Sequence, residues 1–191
     1  PKPQNPERRS LIKFKLFRRN MEGAPQLTPE LVLSSLDALP EMVTPALCEI
    51  WNWQGDTSVL PYKFESVMNA ASIDPEQYSH GGLKQQFIKD PRFDPDGFFF
   101  LTYRSNAIGL TLAYPVPAEE GLFEIPFLIC VPSHRNKGVE KALLALILQY
   151  VQKQGGTRVV LRGVTPNLSD SYEDGAIQAC LEAGFEQVAQ P

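Results

Sequence analysis

The chain has 191 residues, 43% of them apolar and 21% charged, with a net charge of -4, 17 prolines, three cysteines and two histidines. That length and apolar fraction exclude a wholly disordered chain and fit one domain with a substantial core. Three scattered cysteines (Cys48, Cys130, Cys180) and two histidines give no CxxC, HExxH or Cys/His cluster, which excludes a disulfide framework and a tetrahedral metal site and points to a reducing, cytoplasmic location.

Residues 1–20 carry seven Lys/Arg and only Glu7, leaving eleven basic against twenty-one acidic residues for the rest. An acidic body lacks the clustered cations that a duplex requires, so no nucleic-acid partner is expected. The basic start has two readings, an Arg-rich transit segment or nucleic-acid arm, and a half-exposed strand over 10–18 in which Ile12, Phe14 and Leu16 alternate with Lys13 and Lys15. The alternation favours the strand. No apolar run reaches the roughly 18 residues of a membrane span, and no membrane association is expected.

Proline then marks a series of helix starts. Thr28-Pro29-Glu30, Thr44-Pro45-Ala46 and Asp74-Pro75-Glu76 each set a capping side chain before a proline. They predict helices over 28–39, 44–53 and 75–79, and a further helix over 82–89 ends at Asp90-Pro91, so that 28–89 reads as a helical segment. From Gly97 the period changes to that of strands. The aromatic run from Phe98 to Tyr103, the turn at Ser105-Asn106 and the β-prone residues 108–114 form a hairpin, and a third strand covers 122–131. Beyond Pro132 lies the polar loop Ser133-His134-Arg135-Asn136-Lys137-Gly138, then an apolar helix over 139–153, a strand over 159–164, a helix over 176–183 stopped by Gly184, and a short strand over 185–188. The β-β-β-α-β-α-β order over 97–190 makes this a mixed α/β chain forming a single domain over 1–191.

A strand that runs through a polar, glycine-containing loop into a helix is equipped to hold an anion. The first helical turn leaves N–H groups unpaired, the helix dipole adds partial positive charge, and Lys137 and Arg135 add full charges. The loop lacks the spacing of a phosphate-binding GxxxxGK[ST] loop, and no GxGxxG follows a predicted strand, which leaves nucleoside triphosphates and dinucleotides without support.

The stretch Val131-Pro132-Ser133-His134-Arg135-Asn136-Lys137-Gly138-Val139-Glu140-Lys141-Ala142 resembles the acyl-CoA loop and helix of the GNAT N-acetyltransferases, whose pattern is Arg/Gln-x-x-Gly-x-Gly/Ala. Ala176-Ile177-Gln178-Ala179-Cys180-Leu181-Glu182-Ala183-Gly184-Phe185 resembles that family's late helix with its closing Gly-Phe pair, and Phe93-Asp94-Pro95-Asp96-Gly97 is reminiscent of members related to mycothiol synthase. The resemblance implies the GNAT fold, a central mixed sheet flanked by helices, and transfer of an acetyl group from acetyl-CoA, or another acyl-CoA, to an amine of a small molecule or peptide. It implies that Leu128, Ile129 and Cys130 pair with the pantetheine arm, and that the backbone of Arg135, Asn136, Lys137, Gly138 and Val139 holds the pyrophosphate. Glu124, at the spacing of the family's general base from Arg135, is the expected proton acceptor, and Trp51, Trp53, Tyr62 and Phe64 would border the acceptor pocket.

Two positions depart from the pattern. Glu140 stands where Gly or Ala is usual, either as a solvated first-turn residue or as a carboxylate that repels a diphosphate. Cys180 stands where many members carry the tyrosine that protonates the departing thiolate; it is either a replacement acid or a small buried residue, and Tyr172, two turns upstream, is a possible substitute. These departures keep open a second reading, a GNAT-shaped chain that binds acyl-CoA or a partner without turnover. The acceptor, the acyl preference and the oligomeric state are not written in the sequence.

Overall fold

The computed structural model describes residues 30–53, 60–71, 87–161 and 170–188. The strand expected over 10–18, the helix over 75–79 and most of the helix over 82–89 lie outside the described residues. Among the described residues seven strands form one sheet in the order β2-β3-β4-β5-β6-β1-β7. They are β1 (Glu30–Leu33), β2 (Cys48–Asn52), β3 (Phe98–Tyr103), β4 (Asn106–Pro115), β5 (Leu122–Cys130), β6 (Arg158–Leu161) and β7 (Glu186–Val188), joined by the helices α1 (Leu60–Ala70), α2 (Val139–Lys153) and α3 (Asp170–Glu182). A mixed sheet flanked by helices is the architecture that the resemblance implies.

Every neighbouring pair runs antiparallel except β5 and β6. A parallel pair cannot close through a hairpin, and the crossover that joins it is α2. Its apolar side chains recur at helical spacing, and Ala142, Leu143, Leu144, Ile147, Leu148 and Val151 are each at most 1% exposed against the sheet. Gly109 on β4 permits the approach, since a Cβ there would lie 2.8 Å from Leu143 Cδ1 and 3.0 Å from Val139 Cγ1. The opposite face is aromatic. Phe98 stacks on Trp53 at 5.6 Å and on Phe100 at 4.7 Å, and Phe64 from α1 meets Phe87, Phe98 and Phe127.

Two helices expected from proline caps are strands. In place of a helix over 28–39, Glu30–Leu33 alternates half-buried and buried, with Leu31 and Leu33 inside, and pairs with β6 on one side and β7 on the other. A central position supplies backbone partners on both sides, and that outweighs a local capping signal. In place of a helix over 44–53, Thr44-Pro45 opens a single turn, closed by the Cys48 N–H on the Pro45 carbonyl at 3.1 Å. Leu47 there adopts φ 62°, which ends any helix, and β2 then pairs along β3. The α-helix among the described residues of this half is α1, whose Phe64, Val67, Met68 and Ala71 face inward at i, i+3, i+4 and i+7. The rest of the order agrees with expectation, including α2 at 139–153; α3 begins at Asp170, earlier than 176, and Gly184 follows it with φ 91°.

Leu31→Ala should cost about 2–5 kcal/mol of stability in urea unfolding, because it empties a fully buried site, whereas the half-buried Val32→Ala should cost clearly less. Equal costs would contradict the strand.

Candidate functional site

β5 delivers the candidate site at its carboxyl end. Its parallel pairing with β6 covers Leu122 to Ile125, and beyond that its described partners lie on β4 alone. The change coincides with Pro126, which has no N–H to give a ladder and sits at the irregularity of the β4–β5 register. Leu128, Ile129 and Cys130 are all buried, and Val131 donates to the Ile108 carbonyl at 2.8 Å.

The chain then makes one 3-10 turn (Pro132–His134) and bends through two left-handed residues, Asn136 at φ 58° and Gly138 at φ 85°. Gly138 is the N-cap of α2 and has no side chain to fill the cap. The first-turn N–H groups of α2 therefore have no intrahelical acceptors and face the loop. Lys137 Nζ folds back on the Ser133 carbonyl at 2.7 Å, and Arg135 Nε reaches the Cys130 carbonyl at 3.5 Å. His134 packs against the Tyr103 ring, with Ser133 Oγ 3.0 Å from its Nδ1, and partial burial and then Lys137 lower its pKa. Between this loop and α3 lies a cleft of about 840 Å³, lined by Asn136, Gly138, Glu140, Gly175 and Gln178 among others. That is room enough for a diphosphate-sized group and more.

Glu140 does not point into solvent. It is 3% exposed, and its Oε1 accepts a hydrogen bond from the Asn136 N–H at 3.4 Å. Cys130 lies beside it; burial pushes that thiol up first, and the neighbouring Glu140 carboxylate pushes it further.

Glu124 sits on the other face of β5. It is the cross-strand neighbour of Tyr114, whose hydroxyl donates to the Phe87 carbonyl at 3.3 Å, and cross-strand neighbours share a face. Its Oε1 accepts from Arg92 at 2.7 Å. The same guanidinium grips Asp90 through Nε and a terminal nitrogen at 3.0 and 2.8 Å, and it lies over the Tyr114 ring at 4.8 Å. The hydrogen bond from Arg92 holds the Asp90 carboxyl below the usual carboxylate range. Arg92 and Asp90 were not legible as site residues, because Asp90-Pro91 reads as a helix stop; the signal was the arginine two residues after the aspartate, a spacing that lets one carboxylate take both the Arg92 N–H and its side chain.

The other candidates divide. Cys180 is fully buried in the core, and burial pushes its thiol up to about 12. Tyr172 lies on α3, and its side chain is outside the described residues. Trp53 and Phe64 are core residues at 3% and 0% exposure, whereas Trp51 and Tyr62 are exposed, with Lys63 Nζ 4.8 Å from the Trp51 ring. Among the described residues no group of three or more His, Cys, Asp or Glu could hold a metal ion, and no helix is long and apolar enough to cross a membrane.

Residues 64–172, more than half of the chain, match the sequence profile of the Acetyltransferase (GNAT) family. N-acetyltransferase 8F1 of Rattus norvegicus is 30% identical over 98 residues, 49% of this chain and 42% of that protein, so the match spans less than half of that relative's length. The GCN5-related N-acetyltransferase from Sphaerobacter thermophilus superposes with a TM-score of 0.61 at 16% identity, over 92% of this chain and 53% of that one. The GCN5-related N-acetyltransferase from Kribbella flavida does so with a TM-score of 0.53 at 15% identity, over 84% and 54%. At those identities the superpositions establish the fold.

Two measurements check the geometry. The stabilisation that the Asp90 charge contributes depends on a pKa lowered by folding, so it is fully present above about pH 4 and disappears as pH falls through the lowered value. Wild type should therefore exceed Asp90→Asn in stability at pH 6, and the gap should shrink steadily below pH 4 in chemical unfolding. A disulfide-exchanging thiol reagent at pH 8 should titrate Cys48 alone in the native protein and all three cysteines after denaturation, since Cys130 and Cys180 are buried.

Proposed function

The chain belongs to the acetyltransferase (GNAT) family, and from that premise we propose that it transfers an acetyl group from acetyl-CoA, or another acyl-CoA, to an amine of a small-molecule or peptide acceptor. The observation that carries this reading is the turn from β5 into α2, where left-handed Asn136 and Gly138 set the backbone of residues 135–139 around the amino end of a buried helix. Its backbone fits the phosphate end of such a coenzyme, with Arg135 and Lys137 to add charge. Leu128, Ile129 and Cys130 supply the strand edge for the pantetheine arm, next to the point where Pro126 interrupts the ladder.

The thioester supplies an activated acyl group and a thiolate that leaves. The chain's own task is to orient the acceptor nitrogen and to remove its proton. We assign the proton to Glu124, directly or through one water, with Arg92 fixing the carboxylate at 2.7 Å and leaving the acceptor side of the sheet, toward α1, for the amine. Cys180 is not suited to return a proton to a thiolate, because a buried thiol near 12 holds its proton more tightly than a thiol of ordinary pKa, about 8.5. Tyr172 is the remaining candidate for that step.

The second reading, a GNAT-fold protein that binds acyl-CoA or a partner without turnover, is favoured by two specific observations: the complete burial of Cys180 and the engagement of Glu124 by a guanidinium.

Acetyl-CoA at 100 times its dissociation constant should add about 2.7 kcal/mol of stability, a rise in melting temperature of about 5–10 °C for a domain of this size. Release of free CoA across a panel of amines, reduced at least tenfold in Glu124→Gln with the pH profile flattened, would support transfer with Glu124 as base. A thermal shift without CoA release from any amine would favour the second reading, and no shift would refute acyl-CoA binding.

A further inference from the structure

The carboxylate of Glu140 lies where a bound diphosphate would need the backbone. Asn136, left-handed at φ 58°, turns its N–H inward, and Glu140 Oε1 already accepts it at 3.4 Å. The side chain does so from the first turn of α2, the place where helix dipole and unpaired N–H groups favour an anion from any source. Three elements shut it in. The buried Cys130 at the end of β5 lies against the carboxylate. The loop covers it with Asn136. From α3, Gly175 comes so near that a Cβ there would sit 2.7 Å from Asn136 Oδ1 and 3.8 Å from Glu140 Oε1. A side chain at 175 would have to displace the Asn136 amide for α3 to close over the pair in this way.

At the cleft, the attraction for an incoming diphosphate that opposes this carboxylate falls to Arg135 and Lys137. Lys141, on its rim, is spent on an ion pair with Glu182, and Lys137 donates to the Ser133 carbonyl. An anion entering the 840 Å³ cleft meets Glu140 on the wall it must approach to reach the loop N–H groups.

We propose that Glu140 is a built-in competitor for the diphosphate of the acyl-CoA: its carboxylate occupies the anion position of the loop in the resting protein and must give up the Asn136 N–H before the coenzyme can seat. The inference rests on the acyl-CoA reading above and adds the residue that sets its affinity. It also places the selectivity in one part of the ligand. The carboxylate opposes the diphosphate and is indifferent to the pantetheine thioester, which carries no charge.

The test is calorimetry with two ligands, acetyl-CoA and the uncharged thioester S-acetylpantetheine, on wild type, Glu140→Gln and Glu140→Asp. Glutamine keeps an oxygen for the Asn136 N–H and removes only the charge, so the fold around the loop survives the change. Acetyl-CoA should bind Glu140→Gln about tenfold or more tightly than wild type, because a charge of the same sign within a few ångströms is gone, while S-acetylpantetheine should bind both with equal affinity. Glu140→Asp, which keeps the charge, should stay within about threefold of wild type for both ligands. Equal acetyl-CoA affinity in wild type and Glu140→Gln would overturn the inference and leave acyl-CoA binding standing. A gain of the same size for both ligands would overturn it too, since a general loosening of the cleft does not distinguish a diphosphate. Absence of binding in every variant would overturn the acyl-CoA reading itself and the inference with it.

Discussion

β5 and β6 lie side by side and run in the same direction, while every other neighbouring pair in the sheet is antiparallel. Such a pair has to be joined by a crossover, so the chain that leaves the carboxyl end of β5 must travel back along one face before β6 can start. α2 makes that journey, and its amino end is consequently fixed at the mouth of β5. The loop between them cannot be an arbitrary connection, since it must reverse direction within eight residues and still deliver the helix with its apolar side on the sheet. Left-handed Asn136 and Gly138 accomplish the reversal. An unpaired helix terminus held at the end of a strand follows from that topology, before any particular side chain is considered.

The two faces of the sheet then do different work. α2 packs one face with aliphatic side chains and carries the loop end of the site, with Cys130 and Glu140. The other face is the aromatic cluster around Phe98, capped by α1, with Glu124, Arg92, Asp90 and Tyr114 at its margin. Pro126 joins the two. At the β4–β5 irregularity the pleat loses one step, so Glu124 and Phe127, three residues apart, face the same side. Without that shift Glu124 would share the face of α2, on the side away from the aromatic wall.

The second half of the fold was legible because period, turn chemistry and length agreed. Phe98 to Tyr103 and 108–114 read as a hairpin, and α2 carries ten buried residues in fifteen, too many for any other assignment. The first half is less legible because local capping chemistry and strand pairing disagree there. Thr28-Pro29-Glu30 and Thr44-Pro45-Ala46 have the chemistry of helix starts, yet Leu31 and Leu33 already alternate, and α1 announces itself by Phe64, Val67, Met68 and Ala71 rather than by a cap. A strand of four residues between two others is decided by partners distant in sequence, which a window cannot contain. The site divides the same way. The loop was legible from Arg135 to Val139 as a pattern, whereas the clasp of Arg92 on Glu124, thirty-two residues apart in sequence, and the closure of Gly175 over Asn136 are visible only once the strands are in register.

Glu124 and Glu140 are the same side chain sixteen positions apart, and their surroundings differ in kind. Glu124 is held by a guanidinium that is itself held by Asp90 and Tyr114, an arrangement that fixes the direction of the carboxylate on the aromatic face of the sheet. Glu140 has no cation against it among the described ion pairs; it is held by a backbone N–H and by the dipole of the helix it begins. A carboxylate stabilised that way is bound as a ligand would be bound, through groups that an outside anion could use equally well. The energy that makes Glu140 a good first-turn residue for α2 is therefore the same energy that an incoming diphosphate would draw on, and the two cannot both be satisfied by one set of N–H groups.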